Sequence, residues 1–209
     1  MNILAVGAHF DDVELGCGAT LRKLVDEGHK LYIFVGTTSG FTSATSYELI
    51  RNSDQAQEEG KRSAALLGGT LICGDIPTFD LDFSHRLNTQ ITQLVEHYQI
   101  DWVFTHWIDD PHHDHWGLAH SVLHGAKHVK RILAYQSSWY EAECAFYPNF
   151  YIDVTDYWQF KMKLLKVFRT EYSRVGYEWE KFCKANGTLN GLKIACPYAE
   201  GFQCIRWKY

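Results

Sequence analysis

Two short polar clusters stand at the exits of apolar runs. Ala8-His9-Phe10-Asp11-Asp12-Val13-Glu14 follows Ile3 to Val6 and Gly7, and Asp110-Pro111-His112-His113-Asp114-His115 comes shortly after Trp102 to Thr105. Acids and imidazoles packed this densely at a strand end cannot be buried unpaired, because an isolated buried carboxylate is strongly disfavoured. They must face water, a cation or one another. Imidazole nitrogen and carboxylate oxygen are donors that zinc accepts, and a hydrolytic zinc site keeps three protein ligands and leaves a position for water. His9, Asp12 and His115 would supply that set.

Distant clusters meet only if the chain folds to bring them together, and the apolar pattern says how. Ile3 to Val6 reads as a strand; Leu21, Leu24 and Val25 recur at helical spacing, with Gly28 as the stop. Leu31 to Val35 is a second strand. Ser46 to Leu67 reads as a helix ending at Gly68-Gly69, and Leu71 to Cys73 as a short third strand. Leu87, Ile91, Leu94, Val95 and Tyr98 mark an amphipathic helix before the strand Trp102 to Thr105. A helix over Asp114 to Lys127 and a strand over Ile132 to Tyr135 follow. Beyond Tyr135 come an aromatic run from Phe146 to Ile152, a helix carrying Trp158, Met162, Leu165 and Phe168, and a final strand near Phe202 to Trp207. Alternating strands and helices predict an α/β fold: a Rossmann-like, mostly parallel sheet with helices on both faces, as a single domain over residues 1–209. In such sheets ligands bind beyond the carboxyl ends of the strands. His9, the turn Thr37 to Gly40, His106 and the His112 to His115 cluster all follow strands and converge on that edge.

A formal net charge of -5 argues against nucleic acid or an anionic membrane surface as partner. No long apolar span suggests a transmembrane segment, and the first residues read as a strand rather than a signal, so a cytoplasmic setting is expected. The six cysteines form no C-x-x-C pair, which predicts reduced, mostly buried thiols. His120, His124 and His128 share a helix face that reads as solvated rather than as a second metal site. Seven Trp and twelve Tyr serve core or interface packing, with stacking on sugar rings as the functional alternative.

At these residues the chain resembles the LmbE-like or PIG-L-like zinc-dependent N-acetylglucosamine deacetylases. Their motif A-H-P-D-D-x-E is matched by Ala8 to Glu14, with Phe10 in place of the proline, and their H-x-D-H by His112 to His115. Glu59, Ala64 and Leu67-Gly68 look like the family's helix, Phe146 to Asn149 through Asp153 like its F-x-P-N segment, and Tyr198 to Phe202 like its closing strand. The resemblance implies Zn2+ on His9, Asp12 and His115, Asp11 as general base, and His112 as the second catalytic group, a protonated donor with Asp114 beside it. It places Arg51 and Tyr198 at the substrate. Arg51 would stand on the face of the Ser46 to Leu67 helix in place of a family arginine, because Ala56 lies three residues before Glu59, with a plain surface arginine as the alternative. The implied substrate is a small N-acetylated amino sugar or glycoconjugate, losing acetate; the family often forms homo-oligomers, and the C-terminal aromatics would suit such an interface. Hydrolysis of another amide or of an ester, and a non-catalytic metal- or carbohydrate-binding module, are the alternatives. An unliganded Asp11 beside the metal water favours catalysis.

Overall fold

Ile3 and Ala5 of the first strand pack on one side of the sheet and Leu4 and Val6 on the other, all four without exposed surface. That two-sided burial, with side chains alternating along the strand, marks a central parallel strand. The computed structural model describes all 209 residues. In chain order the elements are β1 (Asn2–Gly7), α1 (Asp12–Asp26), β2 (Lys30–Thr37), β3 (Phe41–Thr42), β4 (Leu49–Arg51), α2 (Ser53–Leu67), β5 (Thr70–Ile76), α3 (His85–His97) and β6 (Trp102–His106). They continue with α4 (His113–Gly125), β7 (Arg131–Tyr135), β8 (Phe150–Asp153), a 3-10 turn (Thr155–Tyr157), α5 (Trp158–Leu165), α6 (Arg169–Lys193) and β9 (Ala199–Trp207).

Seven strands form one sheet in the order β5-β2-β1-β6-β7-β9-β8. The pairs from β5 to β7 are parallel; β9 runs antiparallel to β7 and β8 antiparallel to β9. The expected α/β fold is therefore present, with an antiparallel edge added. The chain winds outward from β1 to β2 and β5, then returns to β6 on the other side of β1. The crevice between β1 and β6 is thus the switch point where α/β sheets bind ligands. Core side chains divide by sheet face. Phe10, Val13, Leu21, Leu164 and Phe168 cluster on one, and Leu81, Leu87, Ile91, Leu118 and Val122 on the other, beneath α3 and α4.

Three features depart from expectation. The stretch from Ser46 does not enter a helix at once: β3 and β4 pair as a small hairpin, and α2 begins at Ser53. Asn52 sets that boundary, its side chain accepting the amide N–H groups of Asp54 and Gln55 at 2.8 and 3.2 Å. The 25-residue α6 is not foreseen at all. Gly176, Gly187 and Gly191 lower its intrinsic propensity, and tertiary packing supplies what propensity lacks. Gly187 shows why: a Cβ there would stand 2.8 Å from the Trp158 ring, so its absence lets α6 close onto α5. All six cysteines are free thiols, but only Cys17 and Cys183 are buried. No helix is long and apolar enough to cross a membrane.

Candidate active site

β1 ends at Gly7 and the chain turns through His9 to Asp11 into α1. Asp11, the residue before the helix, holds φ at 129°, a region that disfavours side chains and costs about 1–3 kcal/mol. The turn is pinned by its own amides: Ala8 N–H donates to His106 Nε2 at 3.0 Å, His9 N–H to Asp12 Oδ2 at 2.7 Å and Phe10 N–H to Ser39 Oγ at 2.9 Å. A proline at position 10 could not make the last bond. The Phe10 ring is fixed as well, lying where a Cβ on residue 60 would fall 2.2 Å away, so Phe10 relies on Gly60. Across the crevice, His112 caps α4, its Nδ1 accepting Asp114 N–H at 3.2 Å.

These two turns bring His9, Asp12 and His115 together. His9 Nδ1 lies 3.3 Å from Asp12 Oδ2 and 3.3 Å from His115 Nε2, and His115 Nε2 lies 3.3 Å from Asp12 Oδ1. Zinc bonds of about 2.0–2.1 Å in a tetrahedron require donor separations of about 3.3 Å, which these pairs match, with His9 facing Asp12 Oδ2 and His115 facing Oδ1. His112 extends the set towards the cleft and His106 extends it inward, His9–His112–His115 and Asp12–His106–His115 being two further groups with metal-ligand spacing. His112, His115 and His106 are stacked, at 4.4 Å and 4.0 Å between successive centroids.

A carboxylate stands behind each of the imidazoles of His9 and His115. Asp114 Oδ2 meets His9 Nε2 at 2.9 Å while its oxygens accept the N–H groups of Phe79 and Leu81. Asp110 Oδ2 lies 3.2 Å from His115 Nδ1, off the N–H direction, so the contact is an ion pair without a directed hydrogen bond. Such carboxylate–histidine pairs fix ring orientation at metal sites. Burial opposes protonation of both rings, yet Asp114 and Asp12 raise His9 to about 9, and Asp12 and Asp110 raise His115 to about 10. Burial likewise opposes ionisation of Asp12, but His115 and His106 hold it well below the usual carboxylate range. Two imidazolium charges around one carboxylate are the charge a divalent cation would bring, so those protons compete with it.

Asp11 differs. Burial pushes it up to about 7, against the pull of Arg51, with Asp12 and Glu171 adding to the rise. His112 moves the other way: burial, then His115 and His9, take it down to about 4. The ring is neutral at pH 7, and since Nδ1 accepts, Nε2 carries the proton. This corrects the expectation of a protonated His112.

Asp114, expected beside His112, orients His9 instead. Arg51 is neither helical nor a surface group: it ends β4, is 3 % exposed, and donates to Asp11 Oδ2 at 3.0 Å and to the Phe10 carbonyl at 2.9 Å. Its Nε has no partner. Tyr198 does not reach the cleft, because its ring stacks on Trp158 at 4.3 Å and its backbone bonds Val154 and Thr155. His113 points away to Asp82, while His120 and His124 rest on Trp116 and Phe83.

The site opens into a cleft of about 740 Å³, walled by Phe41, Phe79, Trp139 and Tyr140 and by Glu171 and Trp179 of α6. The α6 residues and Ser137, whose Oγ donates to Asp12 Oδ1 at 3.1 Å, escaped the sequence reading. Nothing local signals them. A separate cavity of about 280 Å³ holds the buried Lys161–Glu200 pair behind Leu15 and is lined by none of His9, Asp12 and His115.

A family model described as PIG-L, GlcNAc-PI de-N-acetylase, matches residues 4–125. Among curated proteins, the diacetylchitobiose deacetylase of Thermococcus kodakarensis is 24% identical over 97% of this chain and 82% of its own. The uncharacterized deacetylase YaiS of Escherichia coli is 30% identical over 78% of this chain and 88% of its own. Among solved structures, the N,N'-diacetylchitobiose deacetylase of Pyrococcus horikoshii superposes with a TM-score of 0.84 at 23% identity, over 98% of this chain and 83% of the other. The 4-carboxy-2-hydroxymuconate hydratase GalB of Pseudomonas putida superposes at 0.81 with 17% identity, over 100% and 97%, so the fold alone does not name a reaction.

Proposed function

The chain belongs to the PIG-L family of de-N-acetylases, hydrolases of carbon–nitrogen bonds other than peptide bonds, and on that footing we propose that it removes the N-acetyl group of an N-acetylglucosamine-type sugar or glycoconjugate at a zinc site. The observation that carries this reading is the 3.3 Å triangle of His9, Asp12 and His115 with Asp11 beside it. His9, Asp12 and His115 would hold the zinc, which would supply Lewis-acid polarisation of a carbonyl and a lowered pKa for a water, from about 15.7 towards 7.

The residues around it have defined tasks. Asp11 removes the proton of the attacking water; a base poised near 7 matches that task. The His112 Nε2–H donates to the oxyanion as the carbonyl becomes tetrahedral, and one such donor contributes about 2.7–4 kcal/mol. Because His112 is neutral, the proton for the departing amine comes from Asp11, which then regains its base form. Asp114 holds His9, and Arg51 acts on Asp11 rather than on the sugar. Phe79 and Trp139, 52% and 41% exposed at the cleft mouth, offer apolar faces to sugar rings. Relatives named as diacetylchitobiose deacetylases support an amino-sugar substrate, and six free thiols suit a reducing, cytoplasmic setting.

The test is acetate release from a panel of N-acetylated sugars and glycosides by zinc-loaded protein, beside Asp11→Ala. Acetate from the wild type, lost in the variant while one zinc per chain remains, is expected. Zinc binding without acetate release from any substrate would remove the deacetylase reading; full activity in the variant would remove Asp11 as base.

A further inference from the structure

Two of the three proposed ligands are imidazoles held by carboxylates, Asp114 behind His9 and Asp110 behind His115. The third, Asp12, is itself a carboxylate and needs donors. Two hydrogen-bond donors reach it, the His9 amide on Oδ2 and Ser137 Oγ on Oδ1, in a pocket where Ser137 is 4% and His106 0% exposed; His106 Nε2 also lies 3.3 Å from Oδ2, but its lone pair is taken by the Ala8 amide. A serine hydroxyl can point its proton several ways, and His106 decides which. Ala8 N–H donates to His106 Nε2 at 3.0 Å, so that nitrogen bears no proton and Nδ1 carries the ring's hydrogen. Nδ1 stands 3.4 Å from Ser137 Oγ. The hydroxyl therefore accepts from His106, and its own proton is directed to Asp12.

We propose that His106 and Ser137 are positioning residues for the metal: a one-way chain from the Ala8 amide through His106 and Ser137 fixes the Asp12 carboxylate as a ligand. The chain starts from the same β1 exit that carries His9 and crosses to the ends of β6 and β7, so it also ties the two strands flanking the switch point to their neighbour β7. The His106 ring, stacked on His115 with planes 13° apart, supports the neighbouring ligand from below. This inference rests on the zinc reading above.

Metal affinity tests it, measured on the full chain by competition of Zn2+ with a chromophoric chelator, with the melting temperature of the metal-free protein recorded for every variant. Wild-type binding is the prior check: a wild type that binds no Zn2+ overturns the zinc reading and this inference together. Ser137→Ala is expected to lower affinity by about 10- to 100-fold, as loss of outer-shell support does, with Ser137→Thr restoring it. Two substitutions separate the chain from simple packing. His106→Asn keeps a donor where Nδ1 stood but loses the acceptor for Ala8, whereas His106→Gln keeps that acceptor and loses the donor to Ser137. The chain predicts that the Asn variant binds Zn2+ more tightly than the Gln variant; a structural role limited to holding Ala8 predicts the reverse order. Wild-type affinity in Ser137→Ala, or Gln above Asn, overturns the inference while leaving the zinc site itself standing.

Discussion

Two buried ion pairs flank the start of α1, and they are built to opposite ends. At its kink, where Cys17 leaves helical geometry, Glu200 accepts the N–H groups of Ala19 and Thr20 at 3.2 and 2.7 Å and pairs with Lys161. Lys161 also donates to the Leu15 carbonyl at 2.7 Å. Both pair members are bonded to backbone as well as to each other. At the helix start, Asp11 pairs with Arg51, but the arginine Nε is left without a partner, the Asp11 backbone is strained, and the pair opens to the cleft. The saturated pair repairs a break in the scaffold; in the other, burial outweighs the pull of the arginine and leaves Asp11 at about 7.

The contrast breaks most visibly at Asp11. Asp11→Asn retains an acceptor for Arg51 but no base, so kcat should fall by about 10²–10⁴-fold with zinc content and melting temperature near those of the wild type. A matching loss of stability would place Asp11 with the structural pair. Lys161→Met leaves Glu200 buried without its cation and is expected to lower unfolding free energy by about 3–5 kcal/mol in a denaturant titration. Activity per folded molecule should change little.

Zinc removal comes next in size. Saturating metal at about 100 times its Kd stabilises by about 2.7 kcal/mol, read as a drop in melting temperature on chelation. Since His9 and His115 must shed protons to ligate, affinity should rise with pH and weaken as the solution is acidified, and calorimetry in buffers of different ionisation enthalpy should register proton release. A pH-independent affinity would argue against these ligands. The smallest effect is Arg51→Met. Arg51 lowers Asp11 against its burial, so removing it should move the acidic limb of the rate profile upwards by about one unit or more, with activity recovered at alkaline pH. An unmoved limb would mean that Arg51 serves the substrate after all.

What the sequence by itself determined is what lies within one turn of chain. His9, Asp11 and Asp12 share a strand exit, as His112, Asp114 and His115 share a helix start, so contiguous residues carried both the donor types and their placement at strand ends. The strand and helix alternation carried the switch point, because two-sided burial writes itself into continuous apolar runs such as Ile3 to Val6. Only the tertiary structure decided the rest. Asp114 turned to His9 because α4 lies against the loop that presents Phe79 and Leu81. Arg51 reached Asp11 through a hairpin with no apolar period, and Tyr198 was withdrawn by its stack on Trp158. Glu171 and Trp179 arrived on a glycine-bearing helix whose stability comes from what it packs against. His106 and Ser137 are 31 residues apart, and no local pattern links them. Local spacing encodes which donors stand at a strand end; pairing between strands decides which charges face them, and that long-range complement sets their protonation.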